Sequence, residues 1–240
     1  MSAQAPIEHL YLHFPFCTGR CGYCAFISGP PPADPSEVIA AFEREYAARG
    51  VRLAPLRTLY CGGGTPGLIG SEGFRRLKVA SFLSVAPHYE WTVELHPATV
   101  TPELMGTLSA CGVNRISIGV QSLDDAVLTH CNRRHTVEQA LHAVAVARAW
   151  IPDTGIDLIA GLPGVSMDAW RKTVEVAAGH CDRVWSIEYS SWLEVPRSVA
   201  FDKLSEEEFQ DLYERVKHVL FTIFLTDIDQ DDFFEALKDF

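Results

Sequence analysis

The sequence has no hydrophobic run long enough to cross a bilayer. The longest apolar stretch near its C-terminus, Val219–Leu225, is broken by Thr222 and falls far short of the roughly 20 residues a spanning helix needs. The first residues lack the basic, apolar and small-residue succession of a secretory signal, so no signal peptide is expected. Basic residues are scarce as well. Twenty Lys and Arg stand against 31 Asp and Glu, a formal charge of −11, which argues against a nucleic-acid partner. An even set of cysteines is also missing: there are seven, in a chain without an export signal, which speaks against a disulfide framework. A reducing cytoplasm is the expected compartment.

What is present is a chain able to build a core. Of its 240 residues 48% are hydrophobic and 21% charged, and its mean hydropathy of +0.06 fits neither a disordered nor a fibrous protein. Apolar segments alternate with amphipathic ones at a period of about 30 to 35 residues, the spacing of successive βα units. Strands are expected at His9–Pro15, Thr58–Gly62, Trp91–His96, Arg115–Val120, Gly155–Ala160 and Arg183–Tyr189, each rich in β-favouring residues and bounded by Gly or Pro. Helix starts lie between them. Asp34-Pro35 and Thr101-Pro102 set a cap before a proline, while Thr136 with Gln139 and Ser205 with Glu208 have capping-box spacing. The Ser205 helix would place Phe209, Leu212, Tyr213, Val216 and Leu220 on one face.

Six βα units in a row imply an α/β fold with a parallel sheet. Eight would close a barrel, so six predict a partial (β/α)6 barrel whose reactive groups gather beyond the C-terminal ends of the strands. The expected organisation is a core barrel over residues 1–200, followed by an acidic, helical extension over 201–240.

Directly after the first strand comes Cys17-Thr18-Gly19-Arg20-Cys21-Gly22-Tyr23-Cys24, a C-x₃-C-x₂-C loop. Three thiolates on one loop can each ligate one iron of a cubane and leave the fourth iron open, whereas an ordinary ferredoxin cluster takes four cysteines. A structural zinc site is the alternative. It wants four ligands, and His13 is the only nearby candidate for the fourth. Gly19 and Gly22 mark a tight loop, not a packed strand, so buried unligated cysteines fit less well. The other four (Cys61, Cys111, Cys131, Cys181) read as small buried hydrophobes.

Two further features carry chemistry. Gly62-Gly63-Gly64-Thr65-Pro66 follows the second strand, and three residues without a Cβ let a ligand approach the backbone. Taken alone, such a run is more often a plain turn. Glu94 interrupts an apolar strand and is either a buried carboxylate with a partner or a ligand contact. Trp185, Tyr189 and Trp192 could line a pocket for a planar ligand, although core packing is the more usual explanation for such residues.

The three-cysteine loop, with Tyr23 before its last cysteine, resembles the signature of the radical S-adenosylmethionine (SAM) superfamily. The longer string Tyr11-Leu12-His13-Phe14-Pro15-Phe16-Cys17 is similar to the branch of oxygen-independent coproporphyrinogen III oxidases and HemW-type haem chaperones. Gly62–Pro66, Glu94 with Pro97, Gly112–Arg115, Ser117–Ser122 and Asp157–Gly164 continue the resemblance in order, over roughly residues 8 to 195. It implies a [4Fe–4S] cluster on Cys17, Cys21 and Cys24, with SAM as second cofactor. By the same resemblance Gly63, Gly64 and Thr65 lie in the segment that holds the methionyl amino group, and Glu94 contacts the ribose. Gln121 and Arg133 match further SAM contacts, the latter as a planar donor for the carboxylate. Asp157 matches an acidic residue near the adenosine, and Tyr11 a tyrosine near the cofactor. His96 stands where many relatives carry Asn and is assigned no role.

The implied function is reductive cleavage of SAM to a 5′-deoxyadenosyl radical that acts on an organic, porphyrin-related substrate. The implied electron source is a low-potential donor such as flavodoxin. The alternatives are a haem-binding chaperone or carrier, and a radical SAM methyltransferase-type tailoring enzyme. Two departures shape the choice. The oxidases place another cysteine two positions after the loop's last one, where this chain has Phe26. The branch's C-terminal His-Asn-x-x-Tyr-Trp motif has no counterpart after Ser198, and that motif is associated with haem.

Overall fold

The computed structural model describes residues 7–24, 26, 28–181 and 183–188. The helix expected from Ser205, the residues Tyr189 and Trp192, and the extension over 201–240 lie outside them. Among the described residues six strands and six α-helices follow in the order β1 (Ile7–Phe14), α1 (Ser36–Arg49), β2 (Leu53–Gly63), α2 (Gly70–Lys78), β3 (Val85–Leu95), α3 (Pro102–Cys111), β4 (Arg115–Gln121), α4 (Asp125–His130), α5 (Val137–Trp150), β5 (Thr154–Ala160), α6 (Met167–His180) and β6 (Arg183–Glu188). The strands form one sheet in the order β1-β2-β3-β4-β5-β6, and every adjacent pair is parallel. This is the expected α/β partial barrel.

The strands carry two faces because side chains alternate along them. Phe14, Leu59, Cys61, Trp91, Val93, Ile116, Ile118, Ile156 and Leu158 are buried in one hydrophobic core, together with helical residues such as Phe74, Leu77, Met105, Leu108 and Val144. Their neighbours in sequence, including Tyr11, Tyr60, Glu94, Ser117 and Asp157, belong to the other face. A smaller core of Val127, Cys131, Ile159 and Leu162 lies apart, with Tyr23 packed against it. The structural readings of Cys61, Cys111, Cys131 and Cys181 hold: all four are buried.

Several caps form as the sequence suggests. Thr101 accepts from Leu104 N–H at 3.1 Å, and Thr136 with Gln139 closes a reciprocal capping box. At α1 the boundary moves by one residue. Pro35 is the N-cap rather than the first helical residue, and Asp34 accepts from Ser36 N–H at 2.8 Å. Strands β2 and β3 begin earlier than expected, and β2 runs on through Gly63, so the glycine run is partly strand. Among the described residues no helix is long and apolar enough to cross a membrane.

Candidate cluster and cofactor site

The cysteine loop leaves β1 at the C-terminal edge of the sheet and is held from two sides. On one side, Cys17 N–H donates to Gly29 C=O and Gly29 N–H donates to Pro15 C=O, at 2.8 and 2.9 Å. On the other, the turn between α4 and α5 reaches over. Gly22 N–H donates to Cys131 C=O at 2.9 Å, and Asn132 donates its amide to Arg20 C=O at 2.7 Å. Asn132 adopts a positive φ of 55°, a left-handed conformation that Asn tolerates better than most residues. Tyr23, packed on the smaller core, pins the middle of the loop.

All three loop thiols are free and half-buried. Burial pushes the Cys24 thiol up, and the neighbouring charges of Cys21 and Cys17 add to the shift, as expected for three sulfurs in one shared field. Among the described residues no three His, Cys, Asp or Glu side chains converge on one ion position. A cubane does not require them to, since each thiolate takes its own iron.

The glycine segment lies directly beside the loop. Gly64 N–H donates to Phe14 C=O at 2.8 Å. A Cβ at Gly64 would stand 2.5 Å from the Phe16 carbonyl oxygen and 3.0 Å from Cys17 Sγ. Gly63 has φ +111°, and a Cβ there would meet the His13 ring at 2.7 Å. Both positions therefore require glycine, one by close approach and one by backbone conformation. Thr65 Oγ1 lies 3.9 Å from Cys17 Sγ.

Glu94 is the carboxylate at the centre of the inner face. Tyr60 O–H donates to Glu94 Oε1 at 2.7 Å, and Gly63 N–H donates to Oε2 at 3.1 Å. Burial pushes its pKa up to about 7. The Tyr60 hydrogen bond opposes the shift, and the Asp157 charge adds to it. Asp157 is likewise raised, chiefly by burial, while a 2.7 Å hydrogen bond from Ser117 Oγ and the Arg115 charge oppose the shift. Tyr11 stacks on Tyr60 with ring centroids 5.8 Å apart, and burial followed by the Glu94 charge raises its pKa to about 12.

Gln121 ends β4 at φ 71°, and its buried Oε1 has no partner. Arg133 is engaged within the protein. Instead of presenting a free planar fork, its terminal nitrogens donate to the Gly119 carbonyl and, at 3.5 Å, to Cys21 Sγ. Only its buried Nε is unpaired. The structure therefore brings Cys17, Gly63, Gly64, Thr65 and Arg133 to the cysteine loop, and Tyr11, Glu94 and Asp157 together along the inner face. Gln121 and Arg133 meet at Gly119: a Cβ there would be 2.8 Å from Gln121 Nε2 and 3.9 Å from an Arg133 terminal nitrogen. Unpaired buried acceptor and donor atoms beside a Cβ-free cradle and three thiols are a donor set that fits an iron–sulfur cluster with an amino-acid ligand.

Three contributors were not singled out from sequence. Tyr60 and Ser117 each hold one of the two carboxylates, and Asn132 holds the loop. Alternation gave a signal for the first, because Tyr60 shares a face with Gly62 and pairs in register with Tyr11.

The sequence matches the Radical SAM superfamily over residues 11–177. A second family, described only as a protein of unknown function, matches over residues 129–234. The heme chaperone HemW of Mycobacterium tuberculosis is 36% identical over 195 residues, 72% of this chain and 50% of that one. The oxygen-independent coproporphyrinogen III oxidase of Bradyrhizobium diazoefficiens is 34% identical over 175 residues, 69% of this chain and 38% of that one. Among solved structures, the coproporphyrinogen III oxidase HemN of Escherichia coli superposes with a TM-score of 0.69 at 24% identity, covering 90% of this chain and 52% of that one. That likeness shows the fold. The chain spans about half the length of the HemW relatives, 44% and 50% for those of Synechocystis and Mycobacterium. With 167 consecutive residues under one family profile on a matching fold, the chain belongs to the radical SAM superfamily, in its HemW- and HemN-like branch, a family that uses a [4Fe–4S] cluster and S-adenosylmethionine.

Proposed function

We propose that this chain is the core of a [4Fe–4S]-dependent radical SAM enzyme of the coproporphyrinogen III oxidase-like branch, acting on an organic, tetrapyrrole-class substrate in a reducing cytoplasm. The observation that carries the proposal is the meeting of the cysteine loop with the glycine segment, where Gly64 leaves no room for a side chain between Phe16 and Cys17 Sγ. Cys17, Cys21 and Cys24 would hold three irons. Gly63, Gly64 and Thr65 would receive the methionyl end of SAM, Gln121 and Arg133 its amino-acid polar groups, and Glu94, Tyr11 and Asp157 its nucleoside. When bound, the pair of cofactors supplies a 5′-deoxyadenosyl radical after one-electron reduction. The protein's part is to fix the two against each other. Glu94, kept in place by Tyr60 and Gly63, would accept from ribose hydroxyls, and Arg133 would keep positive charge beside the thiolates. Seven free thiols suit a reducing compartment.

The test is anaerobic reconstitution with iron and sulfide, followed by assay for 5′-deoxyadenosine with dithionite and SAM. Formation of 5′-deoxyadenosine supports the proposal. Stoichiometric zinc without iron in anaerobically purified protein would overturn it.

A haem chaperone is the second reading, favoured by the names of the HemW relatives and by Phe26, an exposed phenyl ring at the position where the oxidases carry a further cysteine. A spectroscopic haem titration separates the two. A tight one-to-one complex would favour the chaperone, and binding without defined stoichiometry the enzyme.

A further inference from the structure

Trp185, on β6, faces a cation. The guanidinium carbon of Arg115 lies 5.1 Å from the centroid of its ring, within the range of a cation–π contact. Three features of the sheet bring the two together. Arg115 opens β4 and pairs in register with Thr92 of β3, so its side chain starts at the N-terminal end of the inner face. Trp185 stands opposite Asp157 of β5. Between them Gly155 leaves β5 bare: a Cβ there would be 3.2 Å from Trp185 Nε1 and 3.3 Å from Arg183 Cβ. The indole therefore lies over the glycine, toward β4.

The other side of the guanidinium is fixed as well. Arg115 Nη1 donates to Glu90 Oε1 at 2.8 Å, and Thr92 Oγ1 donates to the same oxygen at 3.0 Å. The Arg115 side chain is only 12% exposed, so salt and water screen its charge weakly. It spans from β3 to β6 beneath Asp157. That carboxyl, held at Oδ1 by Ser117, lies deep enough for burial to favour its neutral form. The groups facing it are Ser117 and Arg115 from β4, Glu94 from β3, Tyr60 from β2 and Trp185 from β6. The Asp157 and Glu94 carboxyls are close enough for their charges to interact, and Arg115 is the cation that opposes the effect of burial on Asp157. Arg183, at the start of β6, is instead paired with Asp153 at 2.7 Å.

We propose that Arg115 is the positioning residue of the nucleoside subsite: clamped between Glu90 and Trp185, it supplies the positive charge that keeps Asp157 an ionised acceptor for SAM. The proposal rests on the reading of Glu94 and Asp157 as nucleoside contacts and names the group that makes one of them usable. A carboxylate that shares a low-dielectric face with a second carboxylate tends to take up a proton, and the protonated acid is a poorer acceptor. An opposite charge a few ångströms away reverses that tendency. Trp185 fixes where this charge sits, and Gly155 makes room for Trp185.

The test is the SAM affinity of the reconstituted full chain as a function of pH, measured by equilibrium dialysis with labelled SAM, with iron content followed in parallel. Without its cation Asp157 needs a higher pH to ionise. In Arg115→Gln the pH midpoint of binding should therefore rise by about one unit, a loss of about ten-fold in affinity on the acidic side that is recovered as pH rises. Arg115→Lys keeps the charge, loses the planar stack on Trp185, and should move the midpoint less. Asp157→Asn should weaken binding, and adding Arg115→Gln to it should shift nothing further. Glu94 is present in every variant, so its own titration cancels. Should the lone Glu90 left by Arg115→Gln prevent folding, Glu90→Gln/Arg115→Gln removes the pair together and carries the same comparison. A pH profile unmoved in Arg115→Gln while Asp157→Asn weakens binding would overturn this inference alone, and so would a shift that persists in the Asp157→Asn background. An Asp157→Asn protein with unaltered SAM affinity would remove Asp157 from the nucleoside subsite, and this inference with it.

Discussion

Tyr60 donates its hydroxyl hydrogen to Glu94 across the β2–β3 pairing at 2.7 Å, leaving the second carboxylate oxygen to the Gly63 amide. One tyrosine thus ties a buried acid to the strand that ends in the glycine cradle. Tyr60→Phe removes that donor and little volume. A hydrogen bond to a charged group contributes about 1.5–3 kcal/mol, so SAM affinity of the reconstituted protein should fall by roughly 10- to 100-fold with the iron content unchanged. Equilibrium dialysis with labelled SAM measures this. An unchanged affinity would remove Glu94 from the nucleoside subsite.

The same acid gives a pH signature. Folding raises Glu94 from 4.5 to about 7, so the native state binds its proton more tightly than the unfolded chain does. Its stabilising contribution is complete below about pH 4.5 and is lost as pH rises to about 7. Asp157 acts with the same sign. His96 and His135, lowered by burial to about 3 and about 4, act oppositely and favour the fold as pH rises toward 6.5. The informative quantity is therefore a difference. Between pH 4.5 and 7, the urea midpoint of the Glu94→Gln apoprotein should rise relative to that of the unaltered protein. Parallel midpoints would show that Glu94 titrates normally.

The cysteines divide into two groups by place. Replacing Cys17, Cys21 or Cys24 with Ala should abolish a content of about four irons per chain. Cys111→Ala and Cys181→Ala alter buried helix ends away from the loop and should retain it. Iron and sulfide assays on the five variants decide the assignment.

Gly63 separates the cradle from the cluster. With φ +111° and the His13 ring 2.7 Å from any added Cβ, Gly63→Val should strain the backbone and crowd the methionyl position. The brown cluster should form while the SAM-dependent change in its spectrum disappears. A normal SAM response would place the methionyl end elsewhere.

Asn132 restrains the loop through its bond to Arg20 C=O. Asn132→Gly keeps the left-handed backbone and loses only the amide bond to Arg20 C=O. Iron loss to a chelator should then quicken several-fold, at the cost of one hydrogen bond's ~1 kcal/mol. An unchanged rate would mean that the Gly22–Cys131 contact alone holds the loop.

Much of this arrangement is legible in sequence, for identifiable reasons. The strands announce themselves through short runs rich in Ile, Val, Leu, Tyr and Trp bounded by Gly or Pro, and Thr101 and Thr136 mark helices α3 and α5 because caps are local chemistry. The cysteine loop is local too. What sequence hides is pairing across the sheet. Ser117 and Asp157 lie 40 residues apart and meet only because β4 and β5 are adjacent in a particular register. The engagement of Arg133 with Gly119 and Cys21 is hidden in the same way, since it depends on a turn folding back over a loop more than 100 residues earlier. The early starts of β2 and β3 escaped because Pro55 and Pro87 and polar residues such as Arg57 and Glu90 interrupt those segments, so alternation there is weak.

None of the three loop cysteines belongs to either hydrophobic core. The sheet, its helices and the small cluster beneath Tyr23 are assembled from residues that need no metal, unlike a zinc finger, whose fold is its ion-binding energy. Folding and iron binding are therefore separable steps. With packing independent of the cysteines, iron-free protein should show the helical circular dichroism and cooperative unfolding of the loaded form, and iron added afterwards should fill the loop without refolding the chain.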